Sequence, residues 1–71
     1  MYIVRPDRKG VFAIIDAKNG NIVNRFNLPG DVVSGPIVTS DTCSVVTKQS
    51  TMQIGYIVKL PAGNIINRFS A

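Results

Sequence analysis

Seven residues of this chain occur twice. Gly20-Asn21-Ile22-Val23-Asn24-Arg25-Phe26 returns as Gly63-Asn64-Ile65-Ile66-Asn67-Arg68-Phe69, with six positions identical and only Val23 exchanged for Ile66, at an offset of 63 − 20 = 43 residues. A short chain with such a duplication has to build one local unit twice, and the residues say what the unit is. Val11 to Ala17 is apolar and rich in β-branched residues, and it runs into Lys18-Asn19-Gly20-Asn21. Asn-Gly between two apolar runs is the strongest short-range hairpin signal, because a type I′ turn needs positive φ at both central residues. We expect a two-residue turn at Asn19-Gly20 and a return strand from Asn21 to Asn27. The second copy of the unit predicts an arm from Gln53 to Lys59, a turn near Pro61-Ala62-Gly63, and a return through Asn64 to Phe69.

Between the two units the same reading gives a third hairpin. Gly35 to Thr39 meets Cys43 to Thr47 across Ser40-Asp41-Thr42. Leu28-Pro29-Gly30-Asp31 reads as a loop, since Pro-Gly punctuates, and Gln49-Ser50-Thr51 as a polar link. Tyr2 to Val4 adds a short edge strand that Pro6 stops. No segment places apolar residues at helical spacing over three turns. The fold class predicted is all-β: antiparallel hairpins forming a blade-like sheet or a small open barrel. A single domain covers residues 1–71, with the repeat at about 11–27 and 54–70.

Period-2 alternation then assigns faces. We expect Ala17 opposite Ile22, Ile15 opposite Asn24 and Ala13 opposite Phe26. In the second unit the equivalents are Leu60 with Ile65, Val58 with Asn67 and Tyr56 with Phe69. Each hairpin then has one apolar face broken by a central asparagine. The other face carries Asp16 and Arg25, or Lys59 and Arg68. Asp16 falls diagonally across from Arg25, within reach of an ion pair worth under ~1 kcal/mol. A buried amide without partners costs roughly 1–3 kcal/mol. We therefore expect Asn24 and Asn67 to hydrogen-bond to backbone at strand edges, within the chain or across a subunit contact. Asn24, Arg25, Asn67 and Arg68 are the candidate interface residues.

Repeats of 40–45 residues with four strands each are the mark of β-propeller blades. The run Ala13-Ile14-Ile15-Asp16-Ala17-Lys18-Asn19-Gly20-Asn21-Ile22-Val23-Asn24-Arg25-Phe26 resembles the blade repeat of quinoprotein-like (PQQ-like) β-propellers, with Pro36-Ile37-Val38 similar to the start of the next blade's inner strand. The resemblance covers about one and a half blades, roughly residues 11 to 70. It implies blade-like sheets. Asn24 and Asn67 stand where that family carries the tryptophans that dock neighbouring blades. No residue here matches a quinone-binding position, so the resemblance implies no cofactor.

Composition narrows the function classes. A chain of 71 residues buries only about 60% of its unfolded surface and usually needs a staple. Cys43 is the one cysteine and there is no histidine, so neither an intrachain disulfide nor a zinc site is available. Oligomerisation is the device that remains. With 45% hydrophobic and 17% charged residues the chain has the balance of an ordered protein. Asp7, Asp16, Asp31 and Asp41 are its only acids, most at turns, where their side chains cap local backbone. We assign no catalytic, metal or cofactor residue. Cys43, between apolar neighbours, reads as a small buried core residue.

The net charge of +4 is thinly spread, with Arg5, Asp7, Arg8 and Lys9 its densest patch. No apolar run approaches the roughly 20 residues of a membrane helix. The start lacks a signal peptide's apolar stretch and, with Met1, leads us to expect a complete gene product made in the cytoplasm. The function expected is a non-enzymatic structural subunit of a symmetric assembly, such as a minor phage virion protein of head, neck or tail. Its partners would be other copies of itself and a larger structural protein. The alternative is a small nucleic-acid-binding β module, which would need aromatics on an open face inside a basic groove.

Overall fold

A computed structural model describes residues 1–71. Seven strands follow one another along the chain: β1 (Tyr2–Arg8), β2 (Val11–Asp16), β3 (Ile22–Asn27), β4 (Asp31–Thr39), β5 (Thr42–Gln49), β6 (Met52–Lys59) and β7 (Asn64–Ser70). They form two antiparallel meanders, β1-β2-β3 and β4-β5-β6-β7, which are not closed into a barrel. The all-β expectation therefore holds, as two stacked sheets of three and four strands.

The duplicated sequence builds a duplicated hairpin. In the first, Phe12 lies opposite Phe26, Ala13 opposite Arg25, Ile14 opposite Asn24, and Ile15 opposite Ile22. In the second, Gly55 lies opposite Phe69, Tyr56 opposite Arg68, Ile57 opposite Asn67, and Val58 opposite Ile65. Each pair maps onto its counterpart by adding 43. The irregularity maps too: Val23 and Ile66 are the extra residues of a β-bulge at the same step. So do the turns. The Gly20 N–H donates to Asp16 O at 2.8 Å, and the Gly63 N–H to Lys59 O at 2.8 Å.

These registers correct our pairings. A four-residue turn, Ala17 to Gly20, replaces the two-residue turn expected at Asn19-Gly20. Only Gly20 has positive φ, at 75°, matched by 80° at Gly63, and Asn19 does not. Both hairpins have the wider loop because it ends in a single left-handed glycine whose N–H closes it, Gly20 to Asp16 O and Gly63 to Lys59 O. Asp16 Oδ1 accepts from the Lys18 N–H and Asn19 Oδ1 from the Asn21 N–H. In the first hairpin each of these side chains also caps the backbone two residues on. The longer turn and the bulge together shift every expected pair. Asp16, engaged in its own turn, leaves Arg25 to pair with Asp7 (Nε to Oδ2, 3.2 Å) instead of forming the ion pair we expected.

Other boundaries also move. β1 does not stop at Pro6 but runs on to Arg8 through a register shift. The Ala17 N–H donates to Met1 O, and hydrogen-bonded pairs alternate along an antiparallel ladder. Position 6 therefore turns its missing donor to the free edge, where a proline is tolerated. β4 begins at Asp31, inside the segment read as loop. Gln49-Ser50-Thr51 is no link between hairpins but the tight turn of β5 and β6, with Gln49 opposite Met52 and Ser50 at φ 58°.

The core lies between the sheets. Val4, Phe12, Ile14, Phe26 and Leu28 come from the three-stranded sheet and its exit, and Cys43, Val45, Tyr56, Val58 and Leu60 from the other sheet. Phe12 and Phe26 stack at 5.1 Å between centroids. Cys43 is buried, as its apolar neighbours suggest, and burial pushes its thiol up to about 11. The Thr47 hydroxyl is buried without a partner.

Candidate assembly surface

Call the face of each hairpin that carries its asparagine the front, and the face that carries its arginine the back. In the three-stranded sheet the front is buried: Val4, Phe12, Ile14 and Phe26 all point inward. In the four-stranded sheet the back is buried: Cys43, Val45, Tyr56 and Val58. The same hairpin thus meets the core with opposite faces, front against back. The apolar face expected for the second unit is correct for Tyr56, Val58 and Leu60. It is wrong for Ile65, Asn67 and Phe69, which are exposed.

This stacking leaves two sheet faces open. The front of the four-stranded sheet presents Ile37, Ile57 and Phe69. Phe69 is 47% exposed, where its equivalent Phe26 is 7% exposed. Its ring lies over Gly55, where any Cβ would come within 2.3 Å of it. The back of the three-stranded sheet presents Ile3, Ile15, Arg5 and Arg25, with Ala13 covered between the two arginine positions. β3 and β7 are edge strands with almost every residue exposed, and β7 has no buried residue at all.

All four candidate residues lie on these two edge strands, Arg25 and Asn67 on the open faces and Asn24 and Arg68 on the core-facing sides. Asn24 and Asn67 share a local contact: each Oδ1 accepts from the next N–H, Arg25 or Arg68, at 2.8 Å. Their amide nitrogens differ. Asn24 Nδ2 donates to Pro61 O at 3.1 Å and Ala62 O at 2.8 Å, tying the first hairpin to the turn of the second. Asn67 Nδ2 finds no acceptor within the chain. Arg25 is held by Asp7, whereas Arg68 makes no ion pair.

A cleft of about 660 Å³ opens between β1 and β4, lined mostly by apolar side chains including Tyr2, Val4, Pro36 and Val38. Its one carboxylate, Asp41, bonds to Lys59, which holds it below the usual carboxylate range. Nothing in the sequence pointed to this cleft, because it arises from how the two sheets splay. No three His, Cys, Asp or Glu side chains converge anywhere in the chain. The aromatics do not form an open stacking row: Phe12, Phe26 and Tyr56 are buried, Tyr2 is partly buried at the cleft, and Phe69 is half-exposed. Comparison with protein-family models, curated proteins and solved structures finds no match.

Proposed function

We propose that this chain is a non-enzymatic structural subunit, one repeated part of a symmetric assembly of the kind that forms minor components of phage heads, necks or tails. Its partners are other copies of itself and a larger structural protein. The observation that carries this reading is β7. All seven of its residues are exposed, Ile65, Ile66 and Phe69 among them, on an unpaired sheet edge. A free edge is a template for another chain, and monomers blunt theirs with Lys, Pro or a covering loop. β7 has none of these; its one charged residue is Arg68. The exposed apolar front beside it, from Ile37 to Phe69, supports the same reading, since exposed apolar patches mark interaction sites.

The test is mass by light scattering or sedimentation from micromolar to millimolar protein. We expect masses above the 7.7 kDa of one chain and a melting temperature that rises with concentration. Each copy carries +4, so self-association has to overcome repulsion and salt should strengthen it. Binding to single-stranded oligonucleotide would do the opposite, weakening steeply with salt. Tight oligonucleotide binding that disappears when Arg5, Arg8 and Lys9 are replaced by serine would favour the nucleic-acid reading instead.

A further inference from the structure

We propose that Asn67 of one copy docks on the Ala17–Gly20 turn of the next. Copies would then join head to tail, front of the four-stranded sheet against back of the three-stranded one. The proposal rests on the assembly reading above and names its contact.

This contact extends one that the chain already makes. Within one chain, the front of the first hairpin packs on the back of the second, and Asn24 Nδ2 clasps the carbonyls of Pro61 and Ala62. The second hairpin has the same register, bulge, turn length and closing bond, and the same contact from asparagine Oδ1 to the following N–H, although its Leu60–Pro61 peptide is cis where Ala17–Lys18 is trans. Its own front is uncovered and its Asn67 Nδ2 has no acceptor. Adding 43 to Lys18 and Asn19 gives Pro61 and Ala62. The Lys18 and Asn19 carbonyls accept no hydrogen bond within the chain, so the counterpart of the clasped turn is vacant.

The two glycines show the same contrast. A methyl group on Gly63 would lie 3.3 Å from Phe26 Cβ and 3.6 Å from Asn24 Nδ2, whereas one on Gly20 would meet nothing within 4 Å. Gly63 is therefore covered by the first hairpin's phenylalanine and asparagine. Gly20 lies open where Phe69 and Asn67 of another copy would sit. The occupant is a second copy because this is the same interface, carried one step further. A joint between two different surfaces makes rings when the rotation closes and filaments when it does not.

The test uses two variants that each disable one end. Asn67→Asp keeps the oxygen that accepts from the Arg68 N–H but places a carboxylate where the docking needs an N–H donor. Gly20→Asn puts a side chain into the open space of the turn, and asparagine tolerates the left-handed conformation there. Each variant alone should have the monomer mass at concentrations where the wild type assembles, with its monomer spectrum unchanged. Mixed in equal amounts they should form a dimer and stop, because Asn67 of the Gly20→Asn chain can still dock on the intact turn of the Asn67→Asp chain. Wild-type assembly with unchanged assembly of both variants would overturn this contact and leave the structural reading standing. So would a mixture that stays monomeric. A wild type that is monomeric at every concentration would overturn both.

Discussion

The hairpins β2–β3 and β6–β7 share a register, a bulge and a turn length, yet they turn opposite faces to the core. Position 12 is Phe and buried, and its counterpart 55 is Gly under an exposed ring. Positions 13 and 15 are Ala and Ile on an outer face, and their counterparts 56 and 58 are Tyr and Val in the core. The backbone unit is indifferent to which face goes inward. The arms decide, by placing a large apolar side chain on one side and glycine or alanine on the other. Seven repeated residues therefore specify a shape, and the unrepeated strands specify its orientation.

The most severe way to break this comparison is to truncate the paired phenylalanines. Phe26→Ala removes a buried ring stacked on Phe12 and should cost about 3–5 kcal/mol, enough to leave much of the protein unfolded. Phe69→Ala removes a half-exposed ring and should cost about 1 kcal/mol or less in dilute monomer. Urea unfolding at low micromolar protein checks both. Equal losses would mean that the two hairpins bury the same face after all.

The asparagines come next. Asn24→Ala loses the bonds to Pro61 and Ala62 and should cost about 1–2 kcal/mol. Asn67→Ala should stay within about 0.5 kcal/mol in the monomer, because both lose the same contact to the following N–H and only Asn24 loses more. The measurement is again denaturant unfolding of dilute protein. A smaller change is expected at Thr47, whose buried hydroxyl has no partner: Thr47→Val should raise stability by up to about 1 kcal/mol in thermal melts.

The last prediction contrasts the two back faces. Cys43 on the buried back corresponds to Ile3 on the open one, through the matching pairs Cys43–Val58 and Ile3–Ile15. Burial raises the Cys43 pKa from 9.0 to about 11, because the folded interior disfavours the thiolate. Stability from this group is intact below pH 9 and is lost as pH rises from 9 towards 11, where the unfolded chain has released the proton. Stability measured across that range should fall, and the Cys43→Ala background should flatten the slope. In that background, the thiol introduced by Ile3→Cys should react quickly with an alkylating reagent. Cys43 in the parent chain should react only at the rate of opening.

Much of this was legible in the residues. Asn19-Gly20, the flanking apolar runs and the 43-residue offset located both hairpins. Which face of each arm turns inward was not legible, because Val11 to Ile15 and, Gly55 apart, Ile54 to Val58 are apolar on both faces. Alternation cannot choose a side where neither is polar. The bulges at Val23 and Ile66 left no mark, since an apolar residue serves equally in a ladder or outside it. The Arg25–Asp7 pair was missed because Pro6 reads as a stop, and only the direction of its missing donor makes it harmless. Asn24 and Asn67 stood out as repeated polar residues, but that one is satisfied and the other open depends on which turn lies nearby in space.

The central claim is that Asn24 and Asn67 are one residue in one local geometry, with its amide partner inside the chain in one case and on another copy in the other. Side-chain amide proton exchange, followed by NMR at low and high protein concentration, tests it most directly. The account predicts slow exchange at Asn24 Nδ2 at every concentration, and slow exchange at Asn67 Nδ2 only when the protein assembles. Two asparagines that exchange alike throughout, or an Asn67 that stays fast in the assembled protein, would contradict it.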